Sequence, residues 1–247
     1  MSISTQIQRL QTAKADIKAA ISDKGVIIPD NATIDTYPTY VSQISSGDYE
    51  QLFIDMIEGD IKSVIIPDGV KNISACAFAY CSRLTSVPLF NTSNVTDMIK
   101  MFYYCSSLTS VPLFGTSKVT NMRYMFNYCS SLTSVPLFDT SNVTDMSNMF
   151  YNCPSLTSVP LFDTSKVTSM NEMFYNCSSL ETIHMINIGA NLDISSSTKF
   201  TREALLEIIG NLKTVTRTRK LTMGTTNLAK LTEEDKAIAT NKGWTLA

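Results

Sequence analysis

Between residues 77 and 180 the apolar positions recur on a fixed beat. MFYYCSSLTSVPLFGTSKVTNMRY is followed by MFNYCSSLTSVPLFDTSNVTDMSN and MFYNCPSLTSVPLFDTSKVTSMNE, each 24 residues long. Within one copy, Leu108, Val111 and Leu113, repeated as Leu132, Val135 and Leu137, have the spacing of a short strand that turns alternate residues inward. Val119, Met122, Met125, Phe126 and Cys129 then follow at intervals of three, three, one and three. That is a helical period, also carried by Met146, Phe150 and Cys153, and it predicts a short helical turn on an outer arc, capped at Thr120 or Thr144. One copy cannot bury its own apolar face, so a period of this length predicts stacked coils.

The flanks predict the ends of the stack. Ile3, Ile7, Leu10, Lys14, Ile17 and Ile21 step by fours and threes, the spacing of a coiled-coil seam, with Gly25 ending the helix. Two readings stand, a helix that folds back as a cap and a stalk that assembles a homo-oligomer. A short extended piece and a second helix near 37–44 lead to a hinge at 45–47, then a strand-like run over 49–57 and a turn at 58–60. Ile61, Val64 and Ile66 open the first coil, and Val70, Ile73 and Phe78 close it. Past Leu180, Ile183 and Met185 keep inward positions, and His184 stands where earlier copies carry Pro and should face solvent. A helix over 201–212, a strand at 220–223, a turn at Asn227-Leu228, a helix capped by Thr232 and Asp235 and ended by Gly243, and a last strand at 244–246 seal the far end. The sum is an α/β chain with about eight parallel strands, near residues 61, 84, 108, 132, 156, 180, 220 and 244. Its domains are an N-terminal helical segment (1–47), a capping coil (48–76), the repeats (77–180) and a C-terminal α/β cap (181–247).

Outward strand positions supply the first candidate recognition surface: Ser110, Pro112, Ser134, Pro136, Ser158 and Pro160 should form columns. Proline has no amide hydrogen, so that column must sit where no ladder bond is needed or must break the ladder. Phe90, Phe114, Phe138 and Phe162 adjoin it, either as core or as an exposed aromatic row for a sugar ring or a partner. Tyr103, Tyr104, Tyr128, Tyr151 and Tyr175, with Asn127, Asn152 and Asn176, make the outer arc the second candidate surface. Asn91-Thr92-Ser93, Asp139-Thr140-Ser141 and Asp163-Thr164-Ser165 read as structural turns, since one carboxylate per coil is thin for calcium.

Composition narrows the chemistry. A net charge of −2 with 17% charged residues argues against a nucleic-acid or anionic-membrane partner. No run of about 18 apolar residues predicts a membrane span, and MSISTQIQRL has neither the basic nor the apolar part of an export signal. Five of the six cysteines, Cys81, Cys105, Cys129, Cys153 and Cys177, occupy one repeat position and so suit a column of buried thiols better than disulfides. Cys76 can pair with Cys81 only if the turn brings their alpha carbons within about 7 Å. There is no G-x-S-x-G elbow, phosphate loop or C-x-x-C pair, and His184 is the single histidine, so no catalytic residue, cofactor or metal is expected.

AFAYCSRLTSVPLFNTSNVTDM and FDTSNVTDMSNMFYNC resemble the BspA-like leucine-rich-repeat proteins, and SVIIPDGVKNISACAF resembles another repeat subtype of the same proteins. The similarity spans roughly residues 61–185. It implies a right-handed solenoid displayed on microbial surfaces for adhesion to a protein or glycan of a host or neighbouring cell. Residues 5–44 resemble segments at the front of tail-associated structural proteins of gut bacteriophages, which implies a virion component released by lysis. Two functions follow: a surface-displayed binding module, or a structural or adhesive part of a phage tail anchored by its N-terminal helix.

Overall fold

The computed structural model describes residue 73 and residues 75–247. The expected N-terminal helix, its seam of Ile3, Ile7, Leu10, Ile17 and Ile21, and nearly all of the N-terminal capping coil lie outside the described residues.

Burial along each coil falls on every third residue, not every second. Leu108, Val111 and Phe114 are buried while Thr109, Ser110 and Leu113 are exposed, and the pattern recurs at Leu132, Val135 and Phe138. Leu113 and Leu137, expected in the core, are 59% and 58% exposed. At the last repeat the pairing is itself irregular, where strand β1 (Ser158–Asp163) lies parallel to β2 (Thr182–Ile186). Val159 pairs with Ile183 and Phe162 with Met185, so Pro160 and Leu161 together oppose the single residue His184. The earlier coils repeat every 24 residues with no such offset, and there the leucine is turned outward within its own coil: the Phe138 amide donates to the Pro136 carbonyl at 2.9 Å, a tight turn that points Leu137 out and carries the larger phenylalanine ring into the interior. The core reading of Phe90, Phe114, Phe138 and Phe162 is therefore the one realised.

The same proline thins the ladder. In the central coils the strand face makes one main rung per turn, Thr109 to Thr85, Thr133 to Thr109 and Thr157 to Thr133, at 3.3, 3.2 and 3.1 Å from amide to carbonyl. Each threonine hydroxyl donates to that same carbonyl at 3.2 to 3.3 Å. Regular strand appears where the neighbour, β2, contains no proline. A second parallel sheet joins β3 (Leu192–Asp193), β4 (Arg219–Thr222) and β5 (Trp244–Leu246). The described residues thus hold five strands in two sheets in place of one sheet of eight.

The outer arc is a chain of tight turns stitched to the next coil, where a helical turn was expected. Met98, Lys100, Phe102 and Tyr104 donate their amides to carbonyls of Asn121, Arg123, Met125 and Asn127 at 2.8 to 3.0 Å. The intervening Met101, Tyr103 and Cys105 donate three residues back within their own coil. Lys100 and Tyr104, with φ of 54° and 60°, and their copies Tyr124, Tyr128, Asn148, Asn152, Glu172 and Asn176 are left-handed. A left-handed residue at every fourth position cannot sit in an α-helix and costs about 1–2 kcal/mol where the residue is not glycine. The inter-coil bonds and the buried arc side chains offset that cost.

Inside, columns of identical residues fill one interior. Phe78, Phe102, Phe126, Phe150 and Phe174 stack at 5.3 to 5.8 Å between ring centres, beside a second phenylalanine column from Phe90 to Phe162. The leucine column from Leu84 to Leu180, the paired methionines and the cysteine column from Cys81 to Cys177 are likewise buried. The far end is closed by helices α1 (Arg202–Gly210), α2 (Gly224–Leu228) and α3 (Glu233–Asn241). Thr201 caps α1, and Thr232 with Asp235 forms a capping box on α3. Arg202 clamps Asp235 with two bonds of 2.8 and 2.7 Å, and Lys242 caps the carbonyl end of α1 at Ile209 and Gly210.

Candidate functional site

Because equivalent residues stack coil upon coil, the outward turn of one leucine is repeated as a column. Leu89, Leu113, Leu137 and Leu161 form an apolar stripe on the strand face, between 50% and 70% exposed. Pro112, Pro136 and Pro160 flank it half-buried, Ser110 and Ser134 are exposed and Ser158 is half-buried. No charged residue stands in the threonine, serine, proline or leucine columns of the three central coils. The stripe runs into His184, whose Nδ1 lies 2.7 Å from Glu207 Oε1 on α1, so the histidine is half-exposed as expected and carries a partner. Sequence reasoning placed the serine and proline columns on this face but missed the leucines. The available signal was the Leu-Phe pair after proline, two large apolar residues competing for one inward position.

The arc gathers the expected tyrosines into a ladder. Tyr80 and Tyr104 stack at 5.5 Å, Tyr104 and Tyr128 at 4.2 Å, Tyr128 meets Tyr151 at 5.6 Å and Tyr151 stacks on Tyr175 at 4.8 Å. Tyr103 packs against Tyr104 at 4.7 Å. Ring faces are therefore largely occupied by neighbouring rings, and edges and hydroxyls are what the arc presents. Burial, then the neighbouring phenols, pushes the Tyr103, Tyr104 and Tyr151 hydroxyls above their ordinary range, which keeps them protonated donors. Lys100 lies over Tyr103 and Tyr124 at 5.3 and 5.6 Å, and Arg123 over Tyr124 at 5.0 Å, so the start of the arc is basic.

The remaining polar columns serve the stack. Thr92, Thr116, Thr140 and Thr164 are buried and donate to carbonyls of the next coil at 2.8 to 3.0 Å. Asp139 accepts from the Ser141 hydroxyl and amide, which holds its carboxyl below the usual range. The six cysteines are free, Cys76 exposed and the rest buried. The thiols of Cys105, Cys129, Cys153 and Cys177 donate to carbonyls of the preceding coil at 3.0 to 3.1 Å. Burial pushes the Cys81 thiol up to about 11 and that of Cys177 to about 12, and raises Cys105, Cys129 and Cys153 as well. Among the described residues no group of three or more His, Cys, Asp or Glu side chains is placed to hold a metal ion, and no helix is long and apolar enough to cross a membrane.

Residues 72–188 match the model of a family described as Mycoplasma protein of unknown function, DUF285. No curated protein matches the chain. Among solved structures the chain is similar to a leucine-rich-repeat protein of T. pallidum, TpLRR, at 16% identity and a TM-score of 0.50, over 75% of this chain and 85% of that one. A leucine-rich-repeat protein from Bacteroides ovatus is matched at 16% identity and a TM-score of 0.20, over 75% of this chain and 66% of that one. Stacked 24-residue coils with columnar cores, together with the likeness to the treponemal protein, give this chain the fold of a leucine-rich-repeat solenoid.

Proposed function

We propose that the protein is a non-catalytic repeat module that binds a protein partner through its strand face. The carrying observation is the stripe of Leu89, Leu113, Leu137 and Leu161, a continuous apolar surface rimmed by uncharged Ser and Thr. Such stripes are costly in water and mark interaction sites. A protein suits this surface better than a glycan, because sugar rings need open aromatic faces and the tyrosine ladder covers most of its own. A Leu113→Asn, Leu137→Asn double variant should keep its circular dichroism and melting behaviour yet lose its partner on an array of surface proteins and glycans. Retained binding by the double variant, or capture of glycans alone, would remove the reading.

Adhesion from a microbial surface and a place in a bacteriophage tail are the two settings for such a module. The seam spacing of Ile3, Ile7, Leu10, Ile17 and Ile21 supports an assembled form. A mass measurement in solution should then give a defined oligomer that Ile7→Ser and Leu10→Ser dissociate. A monomer indifferent to both changes would end the stalk reading.

A further inference from the structure

The stack opens where the last repeat meets the cap. In each of the three preceding coils every second arc amide donates to the next coil: 98, 100, 102 and 104; then 122, 124, 126 and 128; then 146, 148, 150 and 152. The fourth set breaks this rule. Among the described residues the amides of Met170, Glu172 and Phe174 have no acceptor, and only Asn176 is paired, with the Ser196 hydroxyl at 3.0 Å. Met146 donates to Ser169, but the corresponding bond from Met170 to Asp193, one period later, is not made. Ser196 and Ser197 hydroxyls bridge to the Phe174 and Cys177 carbonyls at 3.0 and 2.8 Å, so side chains hold the two coils together at one end and the coils splay at the other.

The splay is a cleft of about 510 Å³ whose lining includes Met170, Glu172, Leu192, Asp193, Lys220 and Thr222. Met170 and Leu192 are buried and give it an apolar floor. Its rim carries two carboxylates and one ammonium. Glu172 Oε2 takes a bond from Asn148, and Asp193 Oδ1 takes two from Ser195, which leaves Glu172 Oε1 and Asp193 Oδ2 without partners among the described residues.

We infer that this cleft binds an extended peptide segment carrying a lysine or arginine. Met170 and Glu172 line this cleft with amides that have no acceptor among the described residues, and Phe174 follows them along the arc, so a ligand that supplies acceptors is drawn there. Backbone carbonyls of an extended segment offer such acceptors in a row, the means by which peptides add to open backbone edges. An apolar side chain of the segment meets Met170 and Leu192, and a basic one meets Glu172 and Asp193, whose combined charge exceeds that of Lys220. The site lies on the arc and is independent of the leucine stripe.

The test uses the full chain labelled with 15N and two end-blocked hexapeptides, one of alternating leucine and arginine and a control of alternating leucine and glutamate. The amide resonances of Met170, Glu172 and Phe174 should shift saturably and exchange more slowly with solvent. A Glu172→Gln, Asp193→Asn double variant, with its other resonances unmoved, should bind about tenfold more weakly, a loss of ~1.4 kcal/mol. The Leu113→Asn, Leu137→Asn variant should bind the peptide as well as the native chain. Unmoved resonances at the three amides, an equal response to the leucine–glutamate control, or undiminished binding by the carboxylate variant would each overturn the inference.

Discussion

Two leucines five residues apart in one coil give the most direct test of which way the strand faces. Leu132 is fully buried among the columns of the central coils, whereas Leu137 is 58% exposed on the stripe. Truncating Leu132 to alanine removes its transfer free energy and leaves a cavity that identical neighbours above and below cannot easily fill, for a loss of about 2–5 kcal/mol. For Leu137, a leucine is worth about 1.5–3 kcal/mol when fully buried, and at 58% exposure about two-fifths of that burial is present, so Leu137→Ala should cost about 1 kcal/mol. Urea unfolding followed by far-ultraviolet circular dichroism measures both, because it reports on all coils, while the one tryptophan, Trp244, reports only on the cap. The midpoint should fall steeply for Leu132→Ala and little for Leu137→Ala, with unchanged slope if the coils unfold together. Comparable losses at both positions would refute the outward turn at Pro136-Leu137 and restore simple alternation.

Three further outcomes follow from the same geometry. At pH 8 a disulfide reagent should label Cys76 alone in the folded protein and all six thiols after denaturation, since burial raises the other five and leaves almost no thiolate; rapid labelling of more than one would contradict the column. Gly243 holds φ of +87°, and a Cβ there would lie 2.6 Å from the Val215 carbonyl oxygen, so Gly243→Ala should lower stability by about 1 kcal/mol or more and the melting temperature with it. The Arg202 guanidinium, then the Thr232 amide, holds the Asp235 carboxyl below its ordinary value, so its contribution is present above about pH 4 and is lost as pH falls through the folded value; Asp235→Asn should flatten that acid limb in pH-dependent melting.

Periodicity made the stacking, the interior columns and the C-terminal cap legible in the sequence, because each rests on residue spacing or on a local capping signal such as Thr232 with Asp235. The strand face misled at Leu113 and Leu137, since alternation holds only while the strand stays extended, and the tight turn from Pro136 to Phe138 breaks it inside the coil. The arc misled for a related reason. Met122, Met125, Phe126 and Cys129 have helical spacing, but their amides are shared between their own turn and the next coil, and that competition appears only when a second copy is present. The tyrosine column was visible as a column, while the mutual covering of its ring faces, which weakens a sugar-stacking role, depends on the 4.2 to 5.6 Å spacings between rings. Nothing in the spacing announced the cleft at Met170, because it arises where the spacing stops.

A repeat that satisfies its own groups has a consequence for recognition. Every coil offers a partner the same Thr, Ser, Pro and Leu, so the stripe supplies affinity but cannot fix where along the axis the partner sits. On the proposed role, position is set by residues that do not repeat along this face: Arg83 at its start and His184 with Glu207 at its end. Single leucine substitutions should therefore weaken binding by similar steps along the stripe, because a displaced partner finds an equivalent rung. Changes at the unrepeated residues should alter the choice or placement of the partner with little loss of general stickiness. Exact copies build the surface, and departures from the copy give it an address.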